Sequence, residues 1–456
     1  LNESSGSDLF QFELKHVNGR HVHCYREVQD LYDGTYLFRF RLFESVKDLQ
    51  LEIKYQQQHI KQSPYIIRGS VYSDGCYCPE TNLTKWYESM DCQTLSTRQL
   101  KEDFKVYKMI DMKQVLQLAK EKYFKRSGTY SLCHYVVKQN KIFRQCYGQH
   151  VGFKMFSDAL LLSLSRKVQL PNMEFLMNLG DYPLTSHHDQ SSLPIMSWCG
   201  SNSTLDIILP TYEITEATLQ MMSRTTLDIF AMRTVKHPKW SDKISKGFFR
   251  GRDSCRERLD LVLLSRQYPH IIDAGLTRMF FFRNEMQKYE PMSEQIPMPK
   301  FFDYKYQISI DGTVAAYRFP YLLTGSSLIL KQDSSYYEHY YADLIPYKHY
   351  IPIRKDLSDL LEKIQWAKEN DEEVQRIIKQ AQRFSQRYLL PNHILCYHMK
   401  IFQEYSKRLQ SSIEMLPEME LVQHGKDESH IKIDHCHCHR TYKENQQQDV
   451  SQHVEL

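Results

Sequence analysis

Apolar and polar residues change their rhythm twice along the 456-residue chain. After the turn dipeptide Asp33-Gly34, Tyr36, Phe38, Phe40 and Leu42 alternate with Leu37, Arg39 and Arg41, a period of two that predicts a half-buried strand. Leu49, Leu51, Ile53 and Tyr55 repeat it, and Ser63-Pro64-Tyr65-Ile66-Ile67 closes the set, with Pro64 suited to a strand edge. Residues 1–69 therefore read as a β unit. A complete two-sheet sandwich needs about 100 residues, so the first strands are expected before Leu1, and the unit is either truncated or completed by something else.

Residues 70–97 form a cysteine-marked joint with Cys76, Cys78 and Cys92. C-x-C plus a third cysteine fits the opening of a zinc site, but no fourth ligand stands at finger-like spacing, and disulfides fit better. From residue 98 to 417 helical and strand patterns alternate. Val151–Leu164 is predicted helical, Met173–Leu179 and Leu205–Leu209 are predicted strands, Leu259–Ser265 helical, and Ile271–Ala274 and Ser327–Leu330 strands. This order predicts an α/β fold with parallel sheets flanked by helices. Asp356-Leu357-Ser358 opens one long helix, with apolar residues at three- and four-residue spacing from Leu360 to Phe384. Residues 418–456 turn polar and are expected to be a flexible tail.

Composition narrows the function. Fifty-nine Lys and Arg stand against 55 Asp and Glu, for a net charge of +4. With no long block of one sign, nucleic acid is not an expected partner. No apolar run approaches the roughly 18 residues that cross a bilayer, so no membrane insertion is expected, and any signal peptide has been removed. Three acceptor sequons, at Asn2, Asn82 and Asn202, favour the secretory lumen. The last residues, His453-Val454-Glu455-Leu456, are a degenerate form of the K-D-E-L signal read by the retention receptor of the endoplasmic reticulum. The eleven cysteines suit that oxidising compartment without fixing any pairing.

The chain has no phosphate loop, no G-x-G-x-x-G and no Asp-x-Asp pair to hold a metal against a nucleotide diphosphate. An enzyme using a nucleotide sugar would have to balance phosphate charge with arginines and backbone amides. Two segments have that character. Gly247 to Arg258 is expected to follow a loop and open a helix, with Arg250, Arg252, Arg256 and Arg258 near a helix N-terminus. Asp311-Gly312-Thr313-Val314-Ala315-Ala316-Tyr317-Arg318 is small-residued and ends in arginine, which lets a ligand approach the backbone. A third, Asn178-Leu179-Gly180-Asp181-Tyr182-Pro183, leaves an acid just past a hydrophobic strand, where open α/β sheets carry reactive groups.

In order along the chain, Asn-x-x-Asp-Tyr-Pro, Phe-Arg-Gly with a downstream Glu-Arg, and Asp-Gly-Thr-Val-Ala-Ala-Tyr-Arg resemble the Rumi family of protein O-glucosyltransferases, over about Ser70 to Gln410. The N-terminal pattern, with its D-G-T-Y, K-D-L-x-L-x-I and S-P-Y, resembles the second half of a filamin-type immunoglobulin-like repeat. With the retention-like end it points to the filamin-repeat-bearing endoplasmic-reticulum branch. The resemblance implies a GT-B fold, two Rossmann-like halves preceded by a partial filamin-type β-sandwich. It implies inverting transfer of glucose from UDP-glucose to a serine hydroxyl of folded EGF-like repeats of Notch- or fibrillin-type proteins, without metal or other cofactor. Asp181 then matches the catalytic base. Arg258 and Arg318 match the diphosphate-binding arginines, Thr313, Val314, Ala315, Ala316 and Tyr317 the loop along the nucleotide, and Glu338 a ribose contact or, equally, a surface helix residue.

Arg252 stands where the family pattern has serine, which leaves donor preference open between UDP-glucose and UDP-xylose. A cysteine pair that flanks the Val-Ala-Ala loop in some relatives is missing as a unit. Cys396 resembles a family cysteine tied to the N-terminal joint, so Cys76, Cys78, Cys92 and Cys396 would form two bonds among them, and Cys133 with Cys146 would close a local loop. The Asp434-His435-Cys436-His437-Cys438-His439 stretch suits a disulfide, or no role, better than metal. A non-catalytic lumenal lectin or chaperone is the remaining alternative.

Overall fold

The computed structural model describes residues 9–30, 34–73, 75–124, 130–189, 192–219, 232 and 237–423. Asn2, Asp33, the stretch 434–439 and the terminal 453–456 lie outside them. By internal contacts the chain forms two units, one centred on the described part of Leu1–Trp86 with Leu161–Leu170, the other on Tyr87–Leu160 and Pro171–Val422.

In the first unit the strands are β1 (Phe10–His16), β2 (Cys24–Asp30), β3 (Tyr36–Leu42), β4 (Val46–Tyr55), β5 (Gln58–His59) and β6 (Tyr65–Val71). β4 pairs antiparallel with both β1 and β6, and β2 with β3. The period-two reading of Tyr36–Leu42 and Leu49–Tyr55 matches β3 and β4. Alternate residues turn inward because successive side chains of a strand face opposite ways. Phe12, Leu14, Leu42, Val46 and Leu49 are buried together, and Phe12 meets Phe38 edge to face at 5.3 Å. Pro64 precedes β6 and costs the ladder no donor.

The second unit carries β7 (Leu132–Lys138), β8 (Lys141–Tyr147), β9 (Met173–Asn178), β10 (Ile195–Ser197), β11 (Gly200–Ser201), β12 (Ile207–Ile208), β13 (Ile244–Arg252), β14 (Ile272–Arg278), β15 (Tyr304–Ser309), β16 (Leu328–Gln332), β17 (Tyr336–Tyr337), β18 (Ile351–Ile353) and β19 (Glu420–Leu421). A mixed sheet runs β12-β10-β9-β7-β8-β19, with β9, β10 and β12 parallel. A second sheet, β14-β13-β15-β16-β18, is parallel throughout. Strands covered on both faces read as near-continuous apolar runs, and β9, Met-Glu-Phe-Leu-Met-Asn, is buried at every position. Gly200, in β11, pairs with Tyr337 of β17, and a Cβ there would stand 2.6 Å from the tyrosine ring, so only glycine admits this approach.

Four expectations change. The long helix after Asp356 is two, Leu360–Glu369 and Asp371–Tyr388. Asn370 breaks it at φ −120° and ψ 48° and caps the first with Nδ2 donating to Trp366 O at 2.8 Å, while Asp371, Glu372 and Glu373 supply the negative first turn of the second. The run from Gly247 does not directly open a helix after a loop: Gly247 to Arg252 is the end of β13, and the helix begins only at Arg256. Leu205–Leu209 contracts to β12. The polar stretch from 418 does not end the fold, because Glu420 and Leu421 pair with Arg144 and Phe143 of β8. Among the described residues no helix is long and apolar enough to cross a membrane.

Candidate functional site

Asp181 stands three residues beyond β9, at the C-terminal edge of the mixed sheet. Its carboxylate is half-buried, no donor among the described residues reaches it, and burial holds its proton affinity above the ordinary carboxylate value. Only its main-chain oxygen is engaged, by the Cys199 thiol at 3.3 Å. Tyr212 and Tyr317 line the same place. Burial first, and the nearby Asp181 charge after it, hold both phenols protonated. Their rings meet edge to face at 5.4 Å, with Trp198 edge-on to Tyr212 at 5.9 Å.

Tyr317 comes from the loop that follows β15, so the Thr313 to Arg318 segment is brought to the neighbourhood of Asp181. Val314, Ala315, Ala316 and Tyr317 are buried and Thr313 half-exposed. Gly312 N donates to Val314 O at 2.8 Å, and Asp311 N to Gln332 Oε1 at 3.1 Å. The Asp311 carboxyl, pushed up to about 6 by burial, accepts the Ser334 hydroxyl.

Arg258 and Arg318 converge. A Cβ on Gly251 would lie 3.3 Å from Arg258 Nη1 and 3.2 Å from Arg318 Nη2. Both guanidinium groups sit by the Phe249 ring, at 5.4 and 5.6 Å from its centroid. Arg258 Nε donates to Asp311 O at 2.7 Å, Nη1 to Arg252 O at 3.1 Å and Ser254 Oγ at 3.3 Å, and Nη2 to Ile310 O at 3.2 Å. Arg318 Nη1 donates to Arg250 O at 2.5 Å. Among the described residues neither makes an ion pair. Burial, then the neighbouring Arg318 charge, lowers Arg258 to about 10, and burial lowers Arg318. Two adjacent cations, Arg258 buried and Arg318 half-buried, with no carboxylate in ion-pair contact among the described residues, are a costly arrangement that an anion would relieve.

The other arginines are apart from this pair. Arg250 is bound to Asp273 at 2.7 Å, Arg256 to Glu285 at 2.6 Å, and Arg252 is exposed. Glu338 is not a surface helix residue: it follows β17, fully buried, and accepts Tyr340 Oη at 3.3 Å and Tyr341 Oη at 3.5 Å on Oε1, while Oε2 has no partner among the described residues. Burial pushes it up to about 8. Cys92 is bonded to Cys396 and Cys133 to Cys146, and Cys76 and Cys78 are disulfide-bonded as well. Asn82 and Asn202 are both exposed, and Asn82 Oδ1 caps its helix by accepting Lys85 N at 3.1 Å. No cluster of three metal-ligating side chains occurs among the described residues.

Two buried acids escaped the sequence reading. Asp206 accepts Leu184 N at 2.9 Å, Thr185 N at 2.8 Å and Ser197 Oγ at 2.6 Å. Asp253 accepts the amides of Phe280, Phe281 and Phe282 at 2.7, 2.8 and 2.7 Å. The available signal was an acid interrupting an apolar run, Leu205-Asp206-Ile207.

The description "Glycosyl transferase family 90" matches residues 88–453. The chain is 42% identical over 438 residues to protein O-glucosyltransferase 2 of Danio rerio, covering 96% of this chain and 86% of that protein. It is 44% identical over 415 residues to protein O-glucosyltransferase 3 of Homo sapiens, covering 90% and 80%. Protein O-glucosyltransferase 1 of Homo sapiens is 28% identical over 289 residues, covering 61% and 73%. The motifs around Asp181, Arg258 and Arg318 lie inside these matches, and the chain belongs to glycosyl transferase family 90, the glycosyltransferase family that its Rumi-like motifs pointed to.

Proposed function

We propose that this protein transfers glucose from UDP-glucose, with inversion, to a serine hydroxyl of a folded EGF-like repeat in the endoplasmic reticulum lumen. The observation that carries the proposal is the pair of adjacent guanidinium groups of Arg258, buried, and Arg318, half-buried, neither in an ion pair among the described residues, beside a loop whose Tyr317 reaches the surroundings of Asp181. The unpaired Asp181 carboxylate takes the serine proton as that oxygen attacks the anomeric carbon. The bond from that carbon to the diphosphate breaks, and UDP leaves with the electron pair. The arginines balance the charge that grows on it. One displacement from the opposite face inverts the anomeric centre.

The two open sheets of the larger unit support a GT-B arrangement, and the antiparallel unit of β1 to β6 supports a filamin-like repeat. The names of the relatives support glucose on a protein hydroxyl. Disulfides and exposed sequons support an oxidising lumen. The deciding experiment supplies radiolabelled UDP-glucose, with UDP-xylose as competitor, to the full chain and a panel of folded and reduced EGF repeats. Glucose on the folded repeat alone is expected. Preferential xylose transfer would reassign the donor, and the absence of both binding and turnover would leave a lectin or chaperone.

A further inference from the structure

No donor among the described residues reaches the Asp181 carboxylate, so its direction depends on the backbone that carries it. That backbone is held by side chains from the ends of three neighbouring parallel strands. From the last residue of β9, Asn178 Oδ1 accepts Gly180 N at 2.9 Å, and Nδ2 donates to Tyr182 O at 2.7 Å. The main-chain groups on both sides of Asp181 are thus bound to one amide. The same Nδ2 donates to Ser197 Oγ, at the end of β10, at 3.1 Å. Ser197 Oγ donates to Asp206 Oδ1, one residue before β12, at 2.6 Å. Asp206 closes the chain by accepting Leu184 N and Thr185 N. Asn178, Ser197 and Asp206 are all at most 1% exposed, so water competes little for these bonds.

We propose that Asn178, Ser197 and Asp206 are positioning residues, a relay across the ends of β9, β10 and β12 that fixes residues 180–185 and thereby aims the Asp181 carboxylate at the acceptor hydroxyl. The proposal rests on Asp181 being the base. Nothing in the relay touches a reacting atom, and its action passes through Asp181 alone. A displacement of about 1 Å in a reacting group costs on the order of 100-fold in rate, so loosening one link reads as turnover rather than donor affinity.

The test is a double-mutant cycle in the full chain, with UDP-glucose and a folded EGF repeat. Ser197→Ala removes the middle link and nothing else polar. It is expected to lower kcat roughly 10- to 100-fold, with KM for UDP-glucose within about twofold. In an Asp181→Asn background the same change is expected to cost less than about twofold, because residues acting through one group are not additive. Asp206→Asn, nearly isosteric, carries the same cycle if thermal melting shows Ser197→Ala to be unfolded. Asp181→Asn with near-normal turnover overturns both the base and the relay. An inactive Asp181→Asn together with an unimpaired Ser197→Ala overturns the relay alone, as does an equal loss from Ser197→Ala in both backgrounds.

Discussion

Asp181 and Arg258 both follow parallel strands, yet the chain holds them in opposite ways. Around Asp181 the backbone is bound and the functional group left free: Asn178 fixes both flanks, and no donor meets the carboxylate. Around Arg258 the side chain is itself bound, to the carbonyls of Asp311, Arg252 and Ile310, so the guanidinium organises the loop beside it. Arg318 lies between these cases, with one main-chain acceptor, the carbonyl of Arg250. A base must exchange a proton and needs a free lone pair. A cation that balances charge can also serve the fold.

The largest expected effect isolates the free group. Asp181→Asn keeps the shape but takes no proton, so turnover should fall by about 100-fold or more, with UDP-glucose binding retained by calorimetry. Next come the two arginines, compared with each other. Arg318→Ala should raise the UDP-glucose KM by roughly tenfold, from loss of a charge-assisted contact, with little change in melting temperature. Arg258→Ala should weaken the donor similarly and also destabilise the protein by about 2–3 kcal/mol, because buried carbonyls lose their donor. Equal melting temperatures for the two variants would remove the distinction.

A smaller effect is in pH. As the proposed base Asp181 would work deprotonated, and burial raises its pKa, so kcat/KM should rise with pH through an inflection above that of a free aspartate. Arg258, lowered to about 10, stays charged over that range and should add no acid limb. A pH–rate profile with its inflection at or below the ordinary aspartate value would refute the desolvated base. The smallest expected change is none: with arginines at the diphosphate, transfer should persist in a strong chelator, and activity lost there and restored by manganese would assign the charge balance to a metal.

Much of this was legible locally. The alternation in β3 and β4 and the apolar run of β9 announced themselves, because strand periodicity is written in neighbouring residues. The position of Asp181 past a strand end and the small-residue loop before Arg318 were equally visible. The resemblance tied Cys396 to the joint without choosing among Cys76, Cys78 and Cys92: Cys92 and Cys396 are 304 residues apart, and only the fold brings their Cα atoms to 5.5 Å. The helix break at Asn370 was hidden because the apolar stripe resumes in phase on its far side. The Arg-rich run was read as opening a helix because its charges obscured β13, whose Phe248 and Phe249 are buried.

The sequence by itself determined the alternation of strands and helices, the family, and the choice of an acid and two arginines as candidates. Those depend on residue type and near-neighbour spacing. Tertiary structure decided which of four arginines converge on Gly251, that Glu338 is buried rather than exposed, and that Asn178, Ser197 and Asp206 form one chain beside Asp181. The reason is physical. Solvation and hydrogen-bond partnership are properties of a place in three dimensions, and parallel strands bring together chain ends whose separation in sequence is set by the segments between them.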